Sequence, residues 1–129
     1  MADRKRIHSG SPLEGRYGYA RAVVVGDRIL VAGTAPIWPD DTCDPDPGVQ
    51  ARRCLEIIRT ALEEADSSLG EVVRTRMFVT DASYADAVGA AHGEAFAENP
   101  PVTSMLVVAG LIDERWKVEI EAEAVKASS

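Results

Sequence analysis

The sequence predicts one α+β domain, a mixed β-sheet with two helices on one face. Three observations lead there. Two β-branched runs flank Gly26-Asp27, two later stretches carry apolar residues at helical spacing, and the C-terminal "KVEIEAEAV" alternates apolar and acidic residues. In chain order the elements read β-β-α-β-α-β-β, within a single domain spanning residues 1–129.

The first 16 residues are polar, and Gly10, Pro12 and Gly15 interrupt any regular pattern, so no element is expected there. Arg4-Lys5-Arg6 reads as a solvated terminus. "YARAVVVG" (19–26) and "RILVAG" (28–33) form the first two strands, joined by a tight hairpin at Gly26-Asp27. Residues 34–48 hold four prolines and make a loop. Asp46 then caps a helix that opens with Pro47. Val49, Leu55, Ile58, Leu62 and Ala65 line its inner face, Arg52, Arg53, Arg59 and Glu63 its outer face, and Gly70 closes it. "EVVRTRMFVTD" (71–81) is a strand. The second helix covers 83–98, with Ser83 and Asp86 resembling a capping box and Tyr84, Val88, Ala95 and Phe96 on one face. A strand over 103–110, a turn over 111–115 and a strand over 117–125 complete the chain.

Two helices cover only one face of such a sheet. The strands nevertheless stay apolar at many positions on both faces, so part of the open face is expected to be buried by self-association, most simply in a closed cyclic homo-oligomer. The length suffices for a core without disulfide or metal staples. A net charge of −7 and the lack of a basic stripe disfavour nucleic acid and anionic membrane as partners. There is no apolar run of transmembrane length and no export signal, and Cys43 and Cys54 do not form a disulfide framework, so the chain reads as cytoplasmic.

Most enzyme signatures are absent: no phosphate-binding glycine loop, nucleophile elbow or zinc-protease helix. No histidine stands at ligand spacing from Cys43 or Cys54, so no metal is expected. His8 and His92 are far apart, and His92 reads as a surface or helix-packing residue. Trp38 and Trp116 read as packing residues. The last strand says more. Val118, Ile120, Ala122 and Ala124 alternate with Glu119, Glu121 and Glu123. A solvated face explains such a row; if Arg74 and Arg76 on a common face oppose the glutamates, the row is cross-strand ion pairing. The sharper alternative is that one carboxylate reaches a pocket and orients a water or a substrate amine.

These residues, in this order, resemble the Rid family, also called YjgF/YER057c/UK114. The likeness runs through "GYARAVVVGDRILVAGTAPI", "QARRCLEIIRTALEEADSSLGEVVRTRMFVTD" and "PPVTSMLVVAGLIDERWKVEIEAEAV". It implies a chorismate-mutase-like fold, a homotrimer, and small-molecule clefts between subunits, with no cofactor. In the family's best-known branch those clefts hydrolyse enamine or imine intermediates to a keto acid and ammonia. The resemblance assigns Tyr19 and Glu119 as catalytic groups and Gly33 as a backbone contact to ligand. The branch holds its substrate's carboxylate with an arginine in a Pro-x-Arg-Ser pattern. Here the pattern reads Pro101-Val102-Thr103-Ser104, so Thr103 replaces the arginine and Met105 replaces a frequent cysteine. Arg21 is a nearby candidate to supply positive charge.

The resemblance therefore implies enamine/imine deaminase-like chemistry, a hydrolase acting on C–N bonds, on a substrate other than a simple 2-imino acid. A non-catalytic ligand-binding trimer is the alternative. Ribonuclease or translation-inhibitor activity, a label some family members carry, is disfavoured by the acidic charge and by the lack of base-stacking aromatics.

Overall fold

A computed structural model describes residues 4–127; the remainder of the expected 1–129 domain lies outside the described residues. Six strands form one mixed sheet: β1 (Arg4–Ile7), β2 (Ala22–Val25), β3 (Arg28–Thr34), β4 (Val72–Val79), β5 (Val102–Val107) and β6 (Val118–Val125), in the spatial order β1-β2-β3-β6-β4-β5. Only β4 and β5 pair in parallel; the other neighbours are antiparallel. Three helices accompany the sheet: α1 (Pro12–Tyr17), α2 (Pro47–Glu64) and α3 (Ala85–Ala95).

The hairpin expectation holds. Val25 pairs with Arg28 across a two-residue turn whose Gly26 has a φ of 61°. Asp46 caps α2 as expected, its Oδ1 accepting from the N–H groups of Gly48 (2.8 Å) and Val49 (3.1 Å). α2 and α3 pack on one another, and α2 also packs on β3 and β6. The core lies beneath them: Ile29, Ile58, Leu62, Val79, Val88, Val118 and Ile120 have no measurable exposure. Each such side chain contributes about 1.5–3 kcal/mol through burial.

Four sequence expectations need correction. The first is that residues 1–16 hold no element: Arg4–Ile7 is a strand and Pro12–Tyr17 a helix, so the β-β-α-β-α-β-β order lacks its first two elements. β1 is an edge strand with three exposed basic residues and only Ile7 buried, so it shows no apolar run. The caps of α1 were legible: Ser11 Oγ accepts from Leu13 N–H, Pro12 opens the helix, and Gly18 ends it at a φ of 77°. The second is the end of α2. It stops at Glu64, not at Gly70, because Asp66 takes a φ of 60° and the N–H of Ser67 turns back to Leu62 O (2.8 Å). The third is the capping box at Ser83. The residue that accepts is Asp81, from Ser83 N–H (2.8 Å), and it precedes a short 3-10 turn at Ala82–Tyr84. The fourth is the length of the second helix, 85–95 rather than 83–98.

β6 shows the expected alternation strictly. Val118, Ile120, Ala122 and Ala124 are buried, and the glutamates between them are half-buried on the opposite face. On that helix-free face and along the β5 edge, Leu30 (41% exposed), Val102 (60%), Leu106 (44%) and Val107 (60%) leave apolar surface open in a single chain.

Candidate functional site

The three glutamates of β6 separate by their neighbours. Glu121 forms an ion pair with Arg76 (2.8 Å) on β4, and Glu123 with Arg28 (2.8 Å) on β3. Those two are cross-strand pairs at the surface, where each contributes little beyond register. Glu119 stands opposite Phe78 and makes no ion pair among the described residues. Pairing therefore accounts for two of the three carboxylates and leaves Glu119.

Glu119 is half-buried, like the other two. Burial pushes its carboxyl above the usual range; Arg21 opposes this and Glu121 adds to it. A carboxylate whose burial raises its pKa is a stronger base than a solvated one, which suits it to take a proton from water.

The backbone around it is shaped by Gly33. A Cβ at this position would lie 2.7 Å from Glu119 Oε2, so only glycine leaves the carboxylate where it is. Gly33 sits at an irregularity in the β3–β6 register, between the pairs Val31–Ala122 and Thr34–Ile120. Its carbonyl accepts from Arg21 Nη2 at 2.7 Å. Arg21 is 9% exposed, and its Nε has no hydrogen-bond partner among the described residues. Burial lowers the guanidinium pKa, while the charges of Tyr19, Glu14 and Glu119 counter the effect. An arginine so placed remains a cation, but it lies beneath the site rather than projecting from it.

Tyr19 completes this group. It is 39% exposed and borders a cleft of about 500 Å³ also lined by Arg6, His8, Val23, Leu30 and Ala32. Glu119 and Gly33 lie outside the lining of that cleft; Tyr19 and Glu119 are each near enough to Arg21 to act on its charge. His8 is held by the buried Glu14, with Nδ1 and Oε1 2.9 Å apart. These lining residues of β1 and its connection to β2 were not legible as a site, because the N-terminal segment carried no recognised element.

Thr103 and Met105 stand elsewhere. Both are on β5, beyond β4, and their register partners Thr75 and Met77 are buried under the helices. Two strand spacings and three residue steps separate Thr103 from Glu119, about 10 Å in each direction, and the two point to opposite faces. Met105 is half-buried against the core. One chain thus brings together Tyr19, Arg21, Gly33 and Glu119, and does not bring Thr103 or Met105 to them. Among the described residues no three His, Cys, Asp or Glu side chains converge as a metal site, and no helix is long and apolar enough to cross a membrane.

Comparison with known proteins gives a consistent result. The family model described as Endoribonuclease L-PSP matches residues 11–126. A solved structure of a YjgF/YER057c/UK114-family protein from Mycobacterium tuberculosis is similar at 42% identity and a TM-score of 0.88, covering 95% of this chain and 99% of that one. An uncharacterised protein of Streptomyces coelicolor is 40% identical over 96% of this chain and 93% of its own length. The Escherichia coli protein named 2-iminobutanoate/2-iminopropanoate deaminase is 33% identical over 84% of this chain and 87% of its own length. The mixed six-stranded sheet with its helices is the α+β chorismate-mutase-like arrangement of these relatives. With a family model spanning nearly the whole chain and relatives matched almost end to end, the chain belongs to the Rid (YjgF/YER057c/UK114) family.

Proposed function

We propose that the protein is a cytoplasmic homotrimer that hydrolyses the C=N bond of a small imine or enamine in clefts between subunits. The observation that carries this reading is Glu119: a half-buried carboxyl with a raised pKa, free of the ion pairs that occupy its neighbours, set against Gly33 beside Tyr19 and Arg21. Its carboxylate takes a proton from water as the water oxygen bonds to the imine carbon. The proton passes from the carboxyl to nitrogen and completes a carbinolamine. The carbinolamine hydroxyl proton then moves through the same carboxylate to nitrogen as the C–N bond breaks and the C=O bond forms, and a carbonyl compound and ammonia leave. Tyr19 donates a hydrogen bond to the substrate and walls the cleft.

The trimer reading is supported by the open apolar surface at Leu30, Val102, Leu106 and Val107. It is also supported by the distance between the two residue groups. Thr103 and Met105 of one copy meet the Glu119 group only if they belong to a neighbouring copy. Thr103 offers a neutral hydroxyl where an arginine would bind a carboxylate in two places. The favoured substrate therefore lacks a carboxylate on the imine carbon.

Two imine sources test this. A serine or cysteine lyase generates 2-aminoacrylate, followed as pyruvate; a flavin-dependent amine oxidase acting on benzylamine releases a carboxylate-free imine, followed as benzaldehyde. The wild type is expected to accelerate the second and not the first, and Thr103→Arg to gain the first. Acceleration of neither imine by either protein would refute catalysis and leave the ligand-binding alternative. Sedimentation at a mass other than three times the 13.8 kDa chain would refute the trimer.

A further inference from the structure

Thr75, on the helix-covered face of β4, is 1% exposed. Its Oγ1 lies 2.7 Å from His92 Nε2 on α3 and 2.7 Å from Thr103 Oγ1 on β5. His92 is itself 8% exposed, and its ring packs against Phe96 with centroids 4.5 Å apart. Thr75 and Thr103 are register partners in the parallel pair, so both hydroxyls share a face. Thr103 is exposed. The three groups form an unbroken line of hydrogen bonds from beneath α3 out to the edge strand.

A threonine hydroxyl has one proton, so Thr75 donates to one of its partners and accepts from the other. If Nε2 carries a proton, His92 donates to Thr75, Thr75 donates to Thr103, and the Thr103 proton is left to point outward. If Nε2 is bare, Thr75 donates to it, Thr103 donates to Thr75, and Thr103 presents only lone pairs. Which nitrogen of one buried imidazole holds the proton thus decides whether an exposed hydroxyl acts as donor or acceptor. Burial holds His92 below the usual imidazole range. The ring is neutral near pH 7, where it has one N–H and one bare nitrogen.

We propose that His92 is a positioning residue that, through Thr75, sets the direction of the Thr103 hydroxyl proton, making Thr103 an oriented and uncharged hydrogen-bond group for a carbonyl oxygen or imine nitrogen of the ligand. The part concerning the ligand rests on the reading above that Thr103 faces the cleft. The part concerning His92 does not.

The test has two arms. The chain has two histidines, so imidazole nitrogen NMR on a His8→Asn background leaves only the His92 ring. One dominant tautomer is expected. Thr103→Val should change its population, Thr75→Val should change it more, and Thr75→Ser should restore it. Identical His92 spectra in the parent and Thr103→Val would overturn the proposal. In the second arm, hydrolysis of the benzylamine-derived imine should fall roughly tenfold in kcat/KM in Thr75→Val, the effect of losing one oriented hydrogen bond, and recover in Thr75→Ser. An unchanged kcat/KM in Thr75→Val, with the trimer intact, would also overturn it. If the wild type hydrolyses no imine, the proposed activity fails, and the nitrogen spectra still decide whether His92 governs Thr103.

Discussion

Replacing Arg21 by Met separates two roles of this buried cation. The guanidinium donates to the Gly33 carbonyl at 2.7 Å, and losing a hydrogen bond from a charged group costs about 1.5–3 kcal/mol. Against this, Met removes the unpartnered Nε, whose burial costs about 1–3 kcal/mol, and fills a similar volume without polar atoms. The two nearly offset, so the net destabilisation should stay within about 2 kcal/mol, a Tm fall of about 10 °C at most for this length. The electrostatic effect has no such offset. Arg21 is the group that counters the burial of Glu119, so without it the Glu119 carboxyl rises further. A raised carboxyl pKa means the native state keeps a proton that the unfolded state has released. Stability then falls as pH rises from the unfolded value through the folded one. That fall should be larger in Arg21→Met and extend to higher pH. Urea unfolding from about pH 4 to about pH 8, compared with the double variant Arg21→Met/Glu119→Gln, isolates it. The extra pH dependence should vanish in the double variant. Equal pH dependence in both, or a Glu119 carboxyl that titrates lower without Arg21, would refute the coupling.

Gly33→Ala should change stability by less than about 1 kcal/mol, since the atom its Cβ meets is the end of a flexible side chain, yet lower imine hydrolysis at least tenfold by displacing that carboxylate. A melting curve and a turnover assay on the same sample check both halves. Glu119→Gln should abolish turnover and, by removing a half-buried charge, unfold at a higher urea concentration than wild type at neutral pH; the gain should shrink as pH falls and the wild-type carboxyl protonates. Gln50→Leu should destabilise by about 2–4 kcal/mol, measured by urea unfolding, because the fully buried carboxamide is the partner of three backbone groups. It donates to Asp44 O (2.8 Å) and Arg115 O (3.0 Å), and accepts from Lys117 N–H (2.7 Å).

Much of the fold was legible because its signals are local. The Gly26-Asp27 turn, the Asp46-Pro47 cap and the strict alternation of β6 each act over a few residues, and each is present in the structure. β1 was not legible because an edge strand with one buried residue has no periodicity to read. The end of α2 was misplaced because Asp66 adopts a left-handed conformation that sequence reading assigns to glycine first. In the site, the residue types at Tyr19, Gly33 and Glu119 were read from a resemblance, and the row of glutamates from spacing. Which glutamate differs from the others was decided by pairing across strands distant in sequence.

By itself the sequence determined the family, the α+β class and most of the elements. Those follow from residue identity, order and short-range periodicity. Only the tertiary structure decided that Arg76 and Arg28 occupy Glu121 and Glu123 while Phe78 faces Glu119, that Arg21 lies buried under Gly33, and that His92 reaches Thr103 through Thr75. The physical reason is register. Hydrogen bonds and ion pairs act over a few ångströms, and only folding brings residues 17 and 28 positions apart in the chain within 2.7 Å of one hydroxyl.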